Sequence, residues 1–278
     1  MRSEGIKTEQ EYLEILSAHI ERLSKTCPVC GAPAKQRDKG VLGVYRCTNL
    51  QRKHNFNIFE RTMFKNTKIG LANLLKILDC WVNGLRTKDI AWITKINKKS
   101  IYKILKRLSE YLIPKFYNRN EQIGGPGVIV EIDESKFGKV KYHRGHRVDG
   151  VWVLGMVERT IERKLVLVAV PDRRAETLLG IIDKYVHPES VIYTDCFASY
   201  NELRHWFLAH RTVNHSRFFV DPETGVHTNT IEGTWCGVKV NVPIRSRTAQ
   251  LIPAHLVKIM IERAATTDPL NYLLNILL

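Results

Sequence analysis

Long hydrophobic runs are missing from this chain of 278 residues, although 44% of its residues are hydrophobic. No apolar stretch approaches the roughly 20 residues that a membrane-spanning helix needs, and the N-terminus lacks the pattern of a secretory signal. The six cysteines are too few and too unevenly spread for a disulfide-stapled secreted domain. These absences predict a soluble, intracellular protein whose core is built from ordinary apolar side chains.

Negative charge is scarce in the front half of the chain. Residues 1–127 contain 24 Lys and Arg against 11 Asp and Glu, whereas residues 128–278 contain 19 against 17. Nearly all of the formal net charge of +15 therefore lies in front. A basic segment ahead of a balanced one indicates a polyanion-binding module joined to a second domain. A generally basic surface is the alternative, but the size of the asymmetry favours nucleic acid as the partner.

Three of the cysteines fall close together in the segment 25–65. Cys27 and Cys30 form a Cys-x2-Cys pair, and Cys47 follows after 16 intervening residues. Such a pair grips one side of a tetrahedral zinc ion, so Cys47 is predicted as the third ligand and His54, the nearest remaining donor, as the fourth. The segment is too polar to build a core alone, so one structural zinc would provide much of its stability. A redox pair or incidental cysteines are the alternatives.

Helical patterns flank this segment. Residues 1–24 are predicted to hold an amphipathic helix that starts with a capping box of Thr8 and Glu11. In the predicted domain 66–117, residues 69–113 are predicted to form three helices, the second one short and the third capped by Asn97. Pro114 is predicted to end the third helix. The exposed face of that third helix is basic and polar: Lys98, Lys99, Ser100, Tyr102, Lys103, Lys106 and Arg107. Unless this is only a solvated face, it is a helix-turn-helix arrangement whose third helix meets bases and phosphates.

A linker, residues 118–127, separates the basic half from a predicted α/β domain over residues 128–247. A strand rich in Val and Ile opens this domain and ends on acids that include Asp133. The predicted elements then follow in the order strand, strand, helix, strand, helix, which indicates a mixed sheet. Residues 248–278 are predicted to be a helical tail that packs on a core or a partner.

A basic stretch after the first strand contains Arg144, His146 and Arg147. It lies between two predicted strands and is broken by glycines, so it is predicted to be a hairpin arm beside Asp133. Such an arm is well placed to hold a phosphate backbone. A solvated loop is the alternative.

Acids at strand ends are the main functional signal, because an ionised carboxylate that leaves water must be paired, hydrogen-bonded or metal-bound. Asp133 and Asp195 each end a predicted strand, and Glu232 lies on a later predicted helix. Such a set can hold two magnesium ions ~3.5–4 Å apart and promote in-line phosphoryl displacement. On that helix Asn229 and Lys239 fall on the same stripe as Glu232, at ~100° per residue.

Two further acids compete as metal ligands. Glu131 and Glu134 flank Asp133 in the same predicted strand. Because side chains alternate along a strand, Glu134 is predicted to face away from Asp133, and Glu131 to line the same face.

Four pieces of sequence carry a family resemblance: Glu131–Glu134, Tyr193–Asp195, Asn229–Trp235 and Lys239. Together they resemble the DDE core of Merlin-type transposases and of bacterial insertion-sequence transposases with an N-terminal zinc ribbon and an ISXO2-like domain. The 36 residues between Asp195 and Glu232 are similar to the spacing in Merlin elements. The basic stretch 144–150 and the front half of the chain also look like that group.

The resemblance implies a ribonuclease-H-like core, preceded by a small zinc ribbon and a helix-turn-helix domain. It implies that Asp133, Asp195 and Glu232 hold two Mg (or Mn) ions, cut transposon ends and transfer the 3′-hydroxyls to target DNA. It also implies that Lys239 contacts a DNA phosphate near the cut, while Asn229 either contacts DNA or caps its helix. Many bacterial relatives close the zinc site with a fourth cysteine, so His54 is a departure.

Two other functions stay open: a domesticated DNA-binding regulator, and a ribonuclease-H-like DNA nuclease without strand transfer. The presence of all three acids favours an active enzyme, and the transposon-like front half argues against a simple nuclease. Two symmetric ends must be cut together, so we expect a homodimer or a higher oligomer on double-stranded DNA. The nucleus of a eukaryotic host is the favoured location, with the cytoplasm or nucleoid if the host is bacterial.

Overall fold

The computed structural model divides the chain into two compact units, Met1–Phe116 with Ala265–Leu278 and Tyr117–Ala264. The structure describes residues 7–23, 25–37, 44–51, 54–60, 62–119, 121–138, 150–265 and 267–278. The predicted basic arm, with Arg144, His146 and Arg147, lies outside the described residues. Among the described helices, none combines the length and apolar character that crossing a membrane would require.

The helices and strands are numbered in chain order. The helices are α1 (Glu9–Arg22), α2 (Leu71–Val82), α3 (Thr87–Thr94), α4 (Lys98–Tyr117), α5 (Ala175–Tyr185), α6 (Asn229–Asn241), α7 (Ile252–Ala264) and α8 (Pro269–Leu277). The strands are β1 (Ala34–Gln36), β2 (Val44–Cys47), β3 (Asn55–Asn57), β4 (Ile129–Phe137), β5 (Val151–Glu158), β6 (Leu165–Val170), β7 (Val191–Asp195) and β8 (Ala209–Val213). Two 3₁₀ helices span Ala198–His205 and Ile244–Ser246.

The described part of the first unit contains the segment with the three clustered cysteines and the helices α1, α2, α3, α4 and α8. Its sheet is small and antiparallel, in the order β1-β2-β3. The predicted capping box of α1 is confirmed, since the Thr8 hydroxyl accepts from the backbone N–H of Glu11 and the Glu11 side chain accepts from that of Thr8. The predicted tail, residues 248–278, is divided between the units, with α7 in the second and α8 in the first. Within the first unit a ring nitrogen of His19 lies 2.8 Å from the side-chain oxygen of Asn271 in α8.

Helices α2, α3 and α4 share one apolar cluster that includes Ile77, Ile90 and Ile101. The side chain of Asn97 accepts from the N–H of Lys99, as its predicted capping role requires. The third helix of this group continues through Pro114 to Tyr117, past the point where the proline predicts its end. A proline in a helix removes one backbone hydrogen bond, and here the helix continues despite that loss.

The second unit is built on a five-stranded mixed sheet in the order β6-β5-β4-β7-β8. The pairs β4–β5 and β5–β6 are antiparallel, whereas β4–β7 and β7–β8 are parallel, which confirms the predicted mixed α/β class. The sequence does not predict β8, because its central residues His210, Arg211 and Thr212 are polar. Such a composition suits an edge strand, which has one neighbour and one open side.

Helices cover both faces of this sheet, and alternation along β4 decides which side chains meet which helix. Val130 and Ile132 belong to the core cluster that includes Leu178 of α5. Glu131 and Asp133 project to the opposite face, where they bond to residues of α6. Helix α7 lies against β6 on the α6 side of the sheet. The central strand therefore buries Val130 and Ile132 on one face and directs Glu131 and Asp133 toward α6 on the other.

We expect Gly155→Ala to destabilise the second unit. A Cβ at this position would lie 2.6 Å from two ring carbons of Trp235, so the indole or α6 must move. Overpacking of this kind costs about 1–3 kcal/mol, which urea denaturation followed by tryptophan fluorescence would measure. Gly180→Ala in α5 is the control, because a Cβ there meets nothing within 4 Å and alanine favours a helix. Equal stability of the two variants would contradict the prediction.

Candidate active site and zinc site

Asp133 and Asp195 lie on the two parallel central strands, β4 and β7. The register pairs Ile129 with Val191 and Glu131 with Tyr193. Continued by two residues, that register brings Asp133 level with Asp195. The two carboxylates thus stand at the same end of neighbouring strands, and Asp195 also accepts the N–H of Phe197, 2.9 Å away.

Glu232 comes to the same region from α6, whose first turn carries it. One of its carboxylate oxygens accepts the hydroxyl of Thr228 at 3.0 Å and lies 3.3 Å from Nε2 of His215. Nε2 of His215 is also 2.7 Å from the Thr228 hydroxyl. The sequence did not single out His215, because it lies in a connection with no pattern of its own.

The charges of Asp195 and Glu232 both affect the ionisation of Asp133. Burial raises the pKa of Asp133 above its ordinary value, and the negative charges of Asp195 and Glu232 raise it further. A hydrogen bond to the ionised form acts in the opposite direction, since the indole N–H of Trp235 donates to Asp133 at 2.8 Å. Three carboxylates that repel one another in this way provide the hard oxygen ligands that divalent cations prefer.

Trp235 reaches Asp133 because the sheet leaves space for its ring. In the antiparallel β4–β5 pair Gly155 stands opposite Asp133, and its missing side chain makes room for the indole. The ring also packs edge-on against Phe137, with centroids 6.1 Å apart. The hydrogen bond from the Trp235 indole holds one oxygen of Asp133, so the orientation of this carboxylate does not depend on solvent.

Glu131 does not join the other acids but anchors α6 to the sheet. Its carboxylate is fully buried and accepts the backbone N–H groups of Thr230 and Ile231, at 2.8 and 2.9 Å. Arg159 pairs with the same carboxylate and also donates to the carbonyl of His227, 2.6 Å away. A carboxylate at a helix N-terminus is favoured by the free N–H groups and by the helix dipole. Glu131 is thus a positioning residue for the helix that carries Glu232.

Glu134 points to the other face of the sheet, as its alternation with Asp133 predicts. Its carboxylate accepts the hydroxyl of Tyr200 and lies 4.0 Å from a guanidinium nitrogen of Arg173. Burial raises the pKa of Glu134 to about 7, and the charges of Asp133 and Asp195 contribute to the increase. The three neighbouring acids therefore differ in their partners: Glu131 bonds to α6, Asp133 to Trp235 and Glu134 to Tyr200.

The predicted DNA contacts Asn229 and Lys239 both lie exposed on α6. The ammonium nitrogen of Lys239 lies 5.9 Å from the centroid of the Phe137 ring. The guanidinium of Arg247 lies 5.8 Å from the same ring and donates to the carbonyl of Lys239. Two cations thus flank the ring that supports Trp235, and the sequence did not single out Arg247.

The predicted zinc ligands converge in the first unit. The sulfur atoms of Cys27, Cys30 and Cys47 all lie within 4.8 Å of one another. Nε2 of His54 is 3.5 Å from the sulfur of Cys27, and the sulfurs of Cys30 and Cys47 are also 3.5 Å apart. A tetrahedral zinc with its usual bond lengths separates its ligand atoms by roughly 3.5–3.8 Å. The geometry is therefore compatible with a zinc ribbon closed by His54.

The pKa values of two of these cysteines shift in opposite directions, since burial raises the pKa of Cys47 while that of Cys27 is lowered. Burial opposes ionisation of Cys27, but the backbone N–H groups of Cys30 and Val29 outweigh it and lower the pKa of this thiol to about 7. In the parts of the chain that the structure describes, this is the one group of three or more potential ligands within 4.8 Å. Asp133, Asp195 and Glu232, which are all among the described residues, do not form such a group.

The predicted DNA-facing helix is α4. Lys98, Lys99, Tyr102, Lys103 and Lys106 are exposed along it, while Ser100 is half-buried. Its apolar residues, such as Ile101, are buried against α2 and α3. The helix therefore has the sidedness that the sequence predicts, with one face for packing and a basic face in solvent.

Comparison with known proteins supports the resemblance seen in the sequence. Residues 123–242, which run from just before β4 to the end of α6, match the family described as an ISXO2-like transposase domain. This segment is similar to the transposase domains of bacterial insertion sequences. It contains Asp133, Asp195 and Glu232, as well as Glu131 and Trp235.

A relative supports the same family. An uncharacterized transposase-like protein of Haemophilus influenzae is 38% identical over 72 residues, which is 26% of this chain and 57% of that protein. The chain thus covers little more than half of the relative's length. The relative is bacterial and gives no support to the nuclear location favoured from the sequence. Comparison thus supports the similarity to a transposase domain, and geometry supports the three-cysteine cluster.

We expect the purified chain to contain about one zinc ion, bound by the cysteine cluster. Cys47→Ser should abolish that zinc and unfold the small sheet, because its core of Cys27, Tyr45, Cys47 and Phe56 is too small to hold alone. His54→Cys should retain zinc, since it supplies another ligand of the right kind. Elemental analysis and a chelator-release assay measure both. Cys236→Ser, at an exposed cysteine, is the control. Folded protein without zinc would refute the site.

We expect Glu131→Gln to loosen α6. Glutamine leaves the half-buried Arg159 guanidinium without its counter-charge. Breaking a fully buried pair costs about 3–5 kcal/mol, so we expect a loss at or below the lower end of that range. Chemical denaturation of the full chain measures the loss. Glu162→Gln, in the exposed turn after β5, removes the same charge and should cost little. Combined with Arg159→Gln, the Glu131 change should cost less than the two separate losses together. Additive losses would contradict the coupling.

Proposed function

We propose that this chain is a DNA transposase that binds transposon terminal inverted repeats, cleaves the ends and joins the 3′-hydroxyls to target DNA. One observation carries the proposal: Asp133, Asp195 and Glu232 share one field within the matched transposase domain. The strand order also supports a ribonuclease-H-like core, since the acids stand on two central strands and one following helix.

The chemistry has two steps, and each is a displacement at phosphorus in which a 3′ oxygen leaves. Water attacks a phosphorus at the transposon end, the bond from phosphorus to the 3′ oxygen breaks, and a 3′-hydroxyl is released. That hydroxyl then attacks a phosphodiester of target DNA and displaces another 3′ oxygen. Two divalent ions would supply activation of the attacking oxygen and stabilisation of the leaving oxygen. Asp133, Asp195 and Glu232 are the residues that would hold them.

The surrounding residues orient this set of acids. Trp235 fixes one oxygen of Asp133, and Glu131 fixes the start of α6 and hence the approach of Glu232. Lys239 lies two turns beyond Glu232 on the same side of the helix. In this proposal its ammonium group contacts a phosphate of the cut strand. Asn229 is a second DNA contact on α6.

The first unit supplies recognition in this proposal. Its helices α2, α3 and α4 form a helix-turn-helix domain whose third helix presents exposed lysines and Tyr102 to duplex DNA. The zinc ribbon and the basic arm with Arg144, His146 and Arg147 add phosphate contacts. Paired ends must be held together for joining, so the active form is a homodimer or a higher oligomer on DNA.

We expect the full chain to cleave duplex DNA that carries its terminal repeats only when magnesium or manganese is added. Asp195→Asn keeps the shape of the side chain but removes a ligand charge, so product formation should fall on the order of 1,000-fold. Asp183→Asn makes the same change at an exposed position of α5, on the other face of the sheet, and should leave activity unchanged. Gel analysis of cleaved ends and joined products measures each variant.

The products distinguish the alternative functions. Joined products confirm a transposase, whereas metal-dependent cleavage without joining identifies a nuclease of the same fold. Specific DNA binding without any metal-dependent product identifies a regulator. Equal product from the Asp195→Asn variant would remove Asp195 from the catalytic set.

A further inference from the structure

A groove of about 610 Å³, lined by both polar and apolar side chains, lies beside α6, outside the cluster of acids. Its walls come from α6, from α7 and from the turn between β5 and β6. The polar side chains that line it are Arg163, Asn229, Thr230, Thr234, Asn241 and Arg263. Gly233 and Gly237 form part of its wall. A Cβ at either position would meet nothing within 4 Å and would project into the open groove.

The groove's two arginines are unusual because they face each other without an acid. Among the described residues, neither the Arg163 nor the Arg263 guanidinium has a hydrogen bond or an ion pair. Burial lowers the pKa of Arg263, and the positive charge of Arg163 lowers it further. The nearest acid on α7, Glu262, is 3.6 Å from the ammonium of Lys258. Arg163 is exposed and Arg263 is half-buried. A partly buried arginine normally has a counter-charge, so Arg263 lacks an anion.

Structural explanations account for only one of the two cations. Arg263 lies in the last turn of α7, where the helix dipole favours a positive charge. Arg163 has no such reason to be there, because its backbone has φ of 48° in a tight turn. Glycine or asparagine adopts that conformation at lower cost than arginine. An arginine at a strained backbone position, lining a groove that a second arginine also lines, indicates a ligand for both.

The N-terminus of α6 does not add a further anion-binding group to the groove. Its N–H groups at Thr230 and Ile231 are already taken by the Glu131 carboxylate. The arginines together with the amides and hydroxyls of the groove wall are therefore the groups that remain to hold a ligand. They extend from Asn229 to Asn241, ~18 Å along the axis of α6. That length suits several successive phosphates of a nucleic acid strand better than a single small anion.

We infer that this groove binds the phosphate backbone of a DNA segment, through Arg163 and Arg263. The inference rests on the proposed DNA transposase function and adds a second DNA path to it. Thr230, Thr234 and Asn241 lie ~160–180° from Glu232 around α6, so this part of the groove faces away from the candidate metal-binding acids. Asn229 lies at the edge of the groove nearest to Glu232. DNA held here is separate from the strand that lies at the acids.

The test is the binding of a duplex of arbitrary sequence by the full chain, without added magnesium, over a range of salt concentrations. Arg163→Asn and Arg263→Gln should each weaken binding on the order of tenfold. Each should also reduce the salt dependence of log K by about one phosphate contact. Lys184→Asn removes one charge from α5, on the opposite face of the sheet, and should change neither quantity.

Stability separates a binding role from a structural one. Asparagine tolerates the backbone of position 163 better than arginine does, so Arg163→Asn should keep or raise the melting temperature while it weakens binding. A photo-crosslinking residue at Asn241 should attach to bound DNA, and one at Lys184 should not. Unchanged affinity and salt slope in both arginine variants would overturn the proposal, as would DNA-bound protein that gives no crosslink from position 241.

The outcome is independent of catalysis. The Asp195→Asn variant should keep the crosslink from position 241 even though it forms no product. A chain that cuts DNA but fails the arginine tests loses only the groove, whereas a chain that passes them without cutting loses only the catalytic function. Failure to bind duplex DNA at all would overturn both.

Discussion

The buried carboxylate of Glu131 is the contact on which the second unit's site depends. It joins β4 to the first turn of α6, where it meets two backbone N–H groups, and Arg159 neutralises its charge. Glu232 follows within the same turn, so its approach to the sheet is set by a charge that solvent does not reach. An unpaired charge at this depth would be costly, which makes the arrangement specific: another position of α6 would strand either Glu131 or Arg159.

Alternation along β4 then separates three neighbouring acids into different roles. Glu131 and Asp133 project toward α6, one to anchor it and one to meet the indole of Trp235. Glu134 projects to the other face and bonds to Tyr200. Gly155 completes the arrangement, because a side chain opposite Asp133 would occupy the space of the indole. A single strand therefore supplies a helix anchor, a candidate metal ligand and a buried hydrogen bond, and the pleat keeps them apart.

Local patterns made much of this predictable. The capping box of α1 and the mixed sheet follow from side-chain chemistry and periodicity, and the structure confirms them. The edge strand β8 escaped because its polar residues give no alternation, and α4 passes Pro114 because packing outweighs one lost hydrogen bond. The roles of Glu131 and Trp235 depend on partners about 100 residues away, which spacing along the chain does not reveal. The same limit hid Arg163 and Arg263, since neither arginine is unusual until the fold brings them together.

Helix α6 shows how these constraints combine. Two glycines in a helix of 13 residues cost about 1 kcal/mol each relative to alanine, and packing does not require them, because a Cβ at Gly233 or Gly237 meets open space. The helix tolerates this loss because its apolar stripe is buried on the sheet and Glu131 holds its first turn. What the glycines provide is an unobstructed groove wall beside two arginines. A helix fixed so firmly at one end can give one side to the acids and leave the other smooth enough for a second strand of DNA to approach.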